Sequence, residues 1–175
     1  MSFSHAPIVI LFAGAVGSSK TPIANDLSGT FALPTFNTDA IRTEVTEDLL
    51  RPYDDATFRE RRDRRLKALI ERRVDFILDA SIDRTWKDLR PALERAGYRW
   101  FCISMDLGKS FLTRLYEAKG YTDSLRELDR IHADHERFLA EFGADVSLHL
   151  AEADFPERLE KARMAVAGWI SRRLG

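Results

Sequence analysis

The 175-residue chain has only one cysteine, Cys102, and it lies within the short apolar run 100–103. A single cysteine cannot form an internal disulfide, so the sequence excludes a disulfide-stabilised scaffold and predicts a protein of a reducing cytoplasm. No basic residue neighbours Cys102 in the sequence to lower the pKa of its thiol. We therefore expect Cys102 to be buried packing rather than a nucleophile.

Long hydrophobic runs and an excess of charge of one sign are also missing. The first apolar run ends at Gly14, far short of the roughly 20 residues that cross a bilayer, and it has no basic flank typical of a signal peptide. Lysine and arginine number 27 against 28 aspartates and glutamates, a formal net charge of −1. This balance gives no long-range attraction to nucleic acid or to an anionic membrane. We expect a cytoplasmic protein without a membrane partner.

The residues that are present predict one domain, 1–175, of the α/β class. Hydrophobic residues make up 45% and charged residues 31%, which is ordinary for a globular protein. Short apolar runs alternate with longer amphipathic stretches, a pattern that predicts a five-stranded parallel sheet with helices on both faces. The predicted strands are 7–13, 33–37, 74–80, 99–106 and 146–151.

The predicted helices fill the stretches between these strands. The first follows a glycine-rich turn and ends near Gly29, and the second begins at Asn37 or Thr38 as its N-cap. Pro91 should kink or interrupt the helix predicted over 84–97. The remaining predicted helices are 55–73, 109–120, 124–143 and 155–174.

The stretch after the first strand reads GAVGSSKTP, residues 14–22. A glycine-rich turn between a strand and a helix directs backbone N–H groups at an anion, and the helix dipole adds partial positive charge. The phosphate-binding pattern is G-x-x-x-x-G-K-[ST]. The stretch matches it except at Ser19, and it matches the variant G-x-x-G-S-x-K-[ST] at every fixed position. The predicted phosphate-binding residues are Gly14, Ala15, Val16, Gly17, Ser18, Ser19, Lys20 and Thr21.

Two residues depart from this pattern. Ser19 places a Cβ where the pattern has its second glycine, which allows the closest backbone approach. Pro22 has no N–H at a position that normally donates to a phosphate, although proline is compatible with the first turn of a helix. A lost charge-assisted hydrogen bond costs roughly 1.5–3 kcal/mol. We expect a weakened nucleotide site that still functions.

Three further segments keep the order found in a known family. They are FNTDAIRTEV at 36–45, FILDASID at 76–83 and SFLTRLYEAKGY at 110–121. Together with the glycine-rich loop, they resemble the small P-loop kinases: polynucleotide kinase, gluconate- and shikimate-type kinases, chloramphenicol phosphotransferase and the zeta-toxin group. The resemblance covers nearly the whole chain. It implies the three-layer P-loop NTPase fold, ATP and Mg²⁺ as cofactors, and phosphoryl transfer to a hydroxyl of a small molecule or of a nucleic-acid end.

The resemblance also implies catalytic roles for four residues. Lys20 would hold the β- and γ-phosphates, Asp39 would accept the proton of the acceptor hydroxyl, and Arg42 would orient the acceptor. Arg114 would stabilise charge during transfer, in a lid region of about 114–137. A non-catalytic nucleotide- or anion-binding module with a degenerate loop stays open as the alternative.

Further site residues follow from the same resemblance. Lys119 matches a basic lid residue that reaches over the transferring phosphate. Thr21 would bind Mg²⁺, together with Asp39 or Asp79. Asp39 and Arg42 could instead merely pair within their own helix, three residues apart. Asp79 could simply be a loop or N-cap ligand at a strand end.

Two other patterns allow more than one interpretation. The run 59–73 contains eight basic and three acidic residues. It could bind nucleic acid, but interleaved acids favour a solvated, ion-paired helix face. Asp129, His132 and His135 share a helix face and could bind a metal, although surface histidines are commoner. His135 could also belong to the lid.

Overall fold

A five-stranded parallel sheet forms the centre of the computed structural model, which describes residues 6–50 and 53–172. Every neighbouring pair of strands is parallel, in the order β2-β3-β1-β4-β5. The predicted parallel sheet is therefore confirmed. The strands are β1 (Ile8–Ala13), β2 (Thr35–Asn37), β3 (Phe76–Ser81), β4 (Arg99–Asp106) and β5 (Leu148–Ala151).

Eight α-helices in the described residues surround the sheet and bury both of its faces. Alternate residues of β1 face opposite ways: Val9 and Leu11 belong to one hydrophobic cluster, and Ile10 and Phe12 to the other. Because both faces are buried, β1 is a continuous apolar run rather than an alternating one. The helices are α1 (Lys20–Phe31), α2 (Thr38–Leu49), α3 (Asp55–Glu71), α4 (Trp86–Arg95), α5 (Lys109–Lys119), α6 (Thr122–Arg126), α7 (Leu128–Phe142) and α8 (Arg158–Ser171).

The helices divide between the two faces of the sheet. Buried residues of α2, α3 and α4 pack in the cluster that contains Val9, whereas those of α1, α5 and α8 pack in the cluster that contains Ile10. Helix α7 contributes to both, through Phe138 on one side and Ile131 on the other. The predicted three-layer arrangement is confirmed, and the carboxyl ends of β1, β3 and β4 meet at one edge.

Several predicted helix boundaries are wrong. Helix α1 continues past Gly29 to Phe31 and ends at Ala32, whose φ of 53° leaves the right-handed helix. The long helix predicted over 124–143 is two helices, α6 and α7, because the backbone leaves helical angles at Glu127 (φ −103°, ψ 7°). The last helix starts only at Arg158, since residues 152–157 form a 3-10 turn that contains Pro156.

Pro91, at which the sequence predicted a kink or an interruption, does not interrupt its helix. It lies inside α4, which runs without a break from Trp86 to Arg95. Trp86, Leu89 and Leu93 are buried against the sheet. This apolar contact keeps the helix in place even though proline removes one main-chain hydrogen bond.

Cys102 is fully buried in β4, as expected, and burial raises the pKa of its thiol. That environment is unsuited to a nucleophile. Among the described residues, no helix is long and apolar enough to cross a membrane.

Candidate functional site

The glycine-rich loop connects the central strand β1 to α1. Gly14 and Gly17 have φ angles of 123° and 74°, which lie in the region that favours glycine. A Cβ at Gly17 would come within 3.0 Å of the Tyr116 ring, and one at Gly14 within 2.9 Å of Met105 Cβ. Both positions therefore require glycine for space as well as for backbone angle.

Ser19 adopts the backbone conformation that the second glycine of the pattern favours. Its φ of 77° and ψ of 27° are left-handed, and it is the N-cap of α1. The serine therefore does not unwind the loop, although a side chain at positive φ costs roughly 1–2 kcal/mol. Its side chain makes no capping hydrogen bond to α1. The first amides of this helix remain available to an anion.

The Lys20 ammonium group lies inside the loop rather than in solvent. Its Nζ donates to the carbonyl oxygens of Gly14 at 3.0 Å and Ala15 at 2.5 Å, and lies 3.3 Å from Ser18 Oγ. Burial lowers the pKa of Lys20 to about 8, against the attraction of Asp83 and Asp79. A buried cation surrounded by carbonyl groups is partly desolvated and is well placed to bind an anion at the loop.

Helix α5 closes the other side of the loop. The Tyr116 hydroxyl donates a hydrogen bond to the carbonyl of Val16, and Lys119 Nζ donates one to the carbonyl of Gly17 at 2.8 Å. Partial burial and the nearby Arg158 lower the pKa of Lys119. Lys119, which was predicted as a basic lid residue over the phosphate, thus contacts the glycine-rich loop at Gly17.

An oxygen cluster, formed by the side chains of Asp79, Thr21 and Asn37, lies next to the loop, near the ends of β2 and β3. Asp79 is buried and accepts hydrogen bonds from Thr21 Oγ1 at 3.0 Å and from Asn37 Nδ2 at 2.9 Å. Burial raises the pKa of Asp79, while the hydrogen bond from Thr21 and the charge of Lys20 act to lower it. Thr21 and Asp79 are two of the predicted metal ligands, and they are in direct contact.

Asn37 holds this cluster and was predicted only as an N-cap. Its Oδ1 accepts from the amides of Asp39 and Ala40, so it is the N-cap of α2, and its Nδ2 turns to Asp79. One side chain therefore fixes both the start of α2 and the orientation of the carboxylate. The N-cap position was the signal in the sequence, but the contact with Asp79 depends on the pairing of β2 with β3.

Asp83 is a second buried carboxylate that sequence reasoning did not single out. It accepts from the amide of Gly14 at 3.0 Å, and its Oδ2 lies 3.2 Å from His135 Nδ1. The other ring nitrogen of His135 lies 3.1 Å from Asp106 Oδ1, and Asp106 Oδ2 lies 2.6 Å from His149 Nδ1. A chain of alternating carboxylate and histidine side chains thus connects the first loop glycine to α7, β4 and β5.

The electrostatics of this chain favour a charged His135. Burial acts to lower the pKa of His135, but the hydrogen bond to Asp106 and the contact with Asp83 outweigh it and raise the pKa to about 9. Burial likewise acts to raise the pKa of Asp106, but its hydrogen bonds with His135, Ser104 and His149 lower it to about 2. His135 is therefore a buried imidazolium between two carboxylates.

The remaining predicted catalytic residues are more exposed. Asp39 lines the same cleft of about 1740 Å³ as Lys20 and Asp79, and its side chain is 86% exposed. Arg42 Nε lies 3.9 Å from Asp39 Oδ1, and its guanidinium covers the rings of Tyr53 and Phe58 at 4.7 and 5.0 Å. Asp39 and Arg42 therefore pair within α2, as one interpretation of the sequence allowed, and both also line the cleft.

Arg114 is placed differently. It is exposed on α5, its guanidinium lies 5.5 Å from the centre of the Phe111 ring, and it is absent from the residues that line the cleft in the described part of the chain. The structure does not bring Arg114 to Lys20. Its role in charge stabilisation stays a prediction.

The basic run is largely ion-paired. Arg61 contacts Glu44 and Asp48 at 2.6 Å, and Arg65 binds both oxygens of Glu44 at 2.7 Å. These contacts join α3 to α2. They favour the ion-paired interpretation of this run over a nucleic-acid surface.

The histidine pattern on α7 does not form a metal site. Asp129 pairs with Lys109 at 2.9 Å, His132 lies 3.5 Å from Glu136, and His135 points to Asp83 and Asp106. No group of three or more histidine, cysteine, aspartate or glutamate side chains converges as a metal site within 6–50 and 53–172. The suggested metal site at Asp129, His132 and His135 is therefore wrong.

The arrangement of strand, loop and helix is shared with solved kinases. The chain superimposes on a gluconokinase from Sinorhizobium meliloti with a TM-score of 0.65 and 17% identity, over 96% of each chain. The chain has the fold of the small P-loop kinases. An APS kinase from Mycobacterium tuberculosis, solved with AMPPNP and APS, aligns over 93% of this chain and 98% of its own, with a TM-score of 0.64 and 17% identity.

A third solved structure extends the likeness. Shikimate kinase from Aquifex aeolicus aligns over 95% of this chain and 99% of its own, with a TM-score of 0.53 and 16% identity. No family model matches the chain, and no curated protein matches it. At these identities the likeness establishes the P-loop kinase fold, and a fold does not by itself determine function.

Proposed function

We propose that the protein is a phosphotransferase that moves the γ-phosphate of ATP to a hydroxyl group, with Mg²⁺ as cofactor. One observation carries the proposal: the buried Lys20 ammonium lies in a glycine loop at an uncapped helix N-terminus, next to the Thr21–Asp79 pair. The loop supplies positive charge and amide donors for a polyphosphate. The adjacent oxygen cluster supplies ligands for a cation.

The loop residues would bind and position the triphosphate. In phosphoryl transfer the protein mainly orients groups and neutralises charge. Lys20 can exchange its carbonyl partners for the β- and γ-phosphate oxygens with little movement, because it already lies within the loop. The amides at the start of α1 add donors along the helix dipole. Lys119 adds a second cation from α5.

The oxygen cluster fits a magnesium ion. Mg²⁺ prefers hard oxygen ligands and keeps several waters, and the Thr21 hydroxyl and the buried Asp79 carboxylate are such ligands. Asp79 is a carboxylate whose pKa is raised by burial, so a cation beside it would stabilise its charged form. When bound, Mg²⁺ would neutralise charge on the phosphate oxygens. Asn37 would keep Asp79 oriented toward it.

The acceptor side of the cleft contains Asp39 and Arg42. The acceptor oxygen would attack the γ-phosphorus, the bond from that phosphorus to the β–γ bridging oxygen would break, and the hydroxyl proton would pass to Asp39. Arg42, steadied by Tyr53 and Phe58, would orient the acceptor. Because the arginines of α3 are already ion-paired, we propose a small molecule rather than a nucleic-acid end as the acceptor.

The second candidate is a non-catalytic module that binds ATP or another polyphosphate. The lack of an N–H at Pro22, in the first turn of α1, favours it. The candidates differ in turnover rather than in binding. Calorimetry with ATP and Mg²⁺, paired with an assay of ADP release across a set of hydroxyl acceptors, separates them.

The decisive variant is Lys20→Ala. It should abolish ATP turnover and leave the circular-dichroism spectrum intact. Lys87→Ala, which removes an exposed lysine on α4, is the matched control and should keep full turnover. Unchanged turnover in Lys20→Ala would end the assignment. ATP binding by the native protein without turnover on any acceptor would select the non-catalytic module.

A further inference from the structure

Arg158, the first residue of α8, lies against the glycine-rich loop. Its Nε donates to Ser19 Oγ at 2.9 Å, and its Nη1 donates to the carbonyl of Phe155 at 2.8 Å. The guanidinium carbon also lies 4.2 Å from the centre of the Phe155 ring. Two hydrogen bonds and a stacking contact therefore fix the plane of this guanidinium beside the loop.

The contacts of Arg158 leave most of its donors unused. A guanidinium has five N–H donors, and the two hydrogen bonds to Ser19 and Phe155 use two of them. Within the described ranges, no carboxylate lies at ion-pair distance from Arg158, whereas the neighbouring Arg163 on α8 is paired through both oxygens of Asp26. The guanidinium is fixed in place but lacks a counter-charge.

Three cations converge on this loop. Lys20 lies inside it, Lys119 bonds to the Gly17 carbonyl, and Arg158 is close enough to Lys119 to disfavour its charged form. Like charges that close repel one another and destabilise the empty loop. An anion bound among them removes this repulsion, and a phosphate group suits the fork of donors that a guanidinium presents.

We propose that Arg158 binds the polyphosphate chain of ATP and that Ser19 holds it in position for this task. The inference rests on the proposed function, because it assigns a ligand to the same loop. It also accounts for the serine at the glycine position: a glycine there has no hydroxyl to accept from Arg158 Nε. The arginine supplies a charged donor in a loop whose first helical turn lacks the amide at Pro22.

Calorimetry with two probes tests this role. Native protein and four variants are titrated with Mg²⁺–ATP and with Mg²⁺–tripolyphosphate. The variants are Arg158→Gln, Ser19→Ala, the double variant, and Arg163→Gln. Arg163→Gln removes the same charge from the same helix and also breaks a contact between α8 and α1, so it controls for loosened packing. Thermal unfolding of each variant confirms that it is folded.

Arg158→Gln should weaken binding of both probes by roughly ten- to a hundredfold, the value of a charge-assisted hydrogen bond. Ser19→Ala should cause a smaller loss, and the double variant should bind no more weakly than Arg158→Gln alone. Arg163→Gln should stay within about threefold of native, well under the tenfold that corresponds to 1.4 kcal/mol. Arg158→Lys, which keeps the charge and loses the fork, should lie between native and Arg158→Gln.

Two results would overturn the assignment of Arg158 alone. One is native-like binding of both probes by Arg158→Gln, and the other is a loss confined to ATP, which would place Arg158 at the nucleoside. If the native protein bound neither probe, the proposed function itself would fail. The two failures are thus distinguishable in one experiment.

Discussion

Replacement of His135 by glutamine should destabilise the protein by an amount that depends on pH. His135 lies between Asp83 and Asp106 and is 5% exposed. Its pKa is raised from 6.5 to about 9. At 1.36 kcal/mol per pH unit, this difference corresponds to about 3 kcal/mol of stability at neutral pH and below. The lowered pKa of Asp106 reflects the same contact, so the two effects are not added.

The direction of the pH dependence follows from linkage. A group whose pKa is higher in the folded state contributes its full stability below its unfolded pKa, about 6.5 here. The contribution then falls as pH rises through about 9. The difference in unfolding free energy between native and His135→Gln should therefore be largest near pH 6 and shrink toward pH 10. What remains at high pH is the difference in packing.

Urea unfolding at intervals from pH 6 to pH 10 measures this difference. In thermal unfolding at pH 6, the melting temperature of His135→Gln should be lower than native by roughly 6–12 °C, since 1 kcal/mol corresponds to about 2–4 °C at this chain length. His149→Gln is the matched control, because His149 contacts the same Asp106 but its side chain is 53% exposed. Exposed pairs contribute about 1 kcal/mol or less. A loss in His135→Gln that is the same at every pH would refute the charged bridge.

Two further predictions concern the loop and the oxygen cluster. Gly17→Ala should destabilise the protein by about 1–2 kcal/mol, because Gly17 has a φ of 74° and a Cβ there would meet the Tyr116 ring. Gly29→Ala, inside α1 with open space around it, should stabilise the protein by about 0.5–1 kcal/mol. Thermal unfolding compares the two variants. Melting-temperature shifts of the same sign would contradict the backbone strain assigned to Gly17. Asp79→Asn should reduce Mg²⁺-dependent ATP turnover by about a hundredfold or more, since a catalytic metal contributes several kcal/mol. Asp88→Asn changes an exposed residue of α4 and should leave turnover unchanged. Equal turnover in the Asp79 and Asp88 variants would remove Asp79 from the proposed metal site.

The sequence predicts the sheet well because a strand that is buried on both faces is a continuous apolar run, and such a run is visible in the local sequence. The run that becomes β1 is apolar at every position, and a buried parallel strand is the arrangement that such a run favours. The resemblance to the small P-loop kinases assigned Thr21 to a metal site with Asp39 or Asp79, and in the structure Thr21 donates a hydrogen bond to Asp79. Helix ends were less well predicted: Gly29 looked like a stop, yet its neighbours in α1 pack well enough to continue the helix to Phe31.

His135 and Arg158 show why parts of the site could not be read from the sequence. The spacing of Asp129, His132 and His135 indicates only that they share a helix face. The partners of His135 come from β4 and from the segment after β3, and only the packed fold brings them to α7. Arg158 is 139 residues from Ser19 in the chain and contacts it directly. No local pattern encodes a contact over that separation.

The position of Asp79 bears on the form in which a polyphosphate would bind. A site for a metal-free polyphosphate gains nothing from a buried carboxylate beside the phosphate loop, because that carboxylate repels the ligand. Here Asp79 is buried, is hydrogen-bonded to Thr21 of the loop helix, and is oriented by Asn37. A divalent cation held by the Asp79 carboxylate would turn this repulsion into attraction. The geometry around Asp79 therefore favours a metal-complexed polyphosphate as the ligand, and turnover is the measurement that separates the two candidate functions.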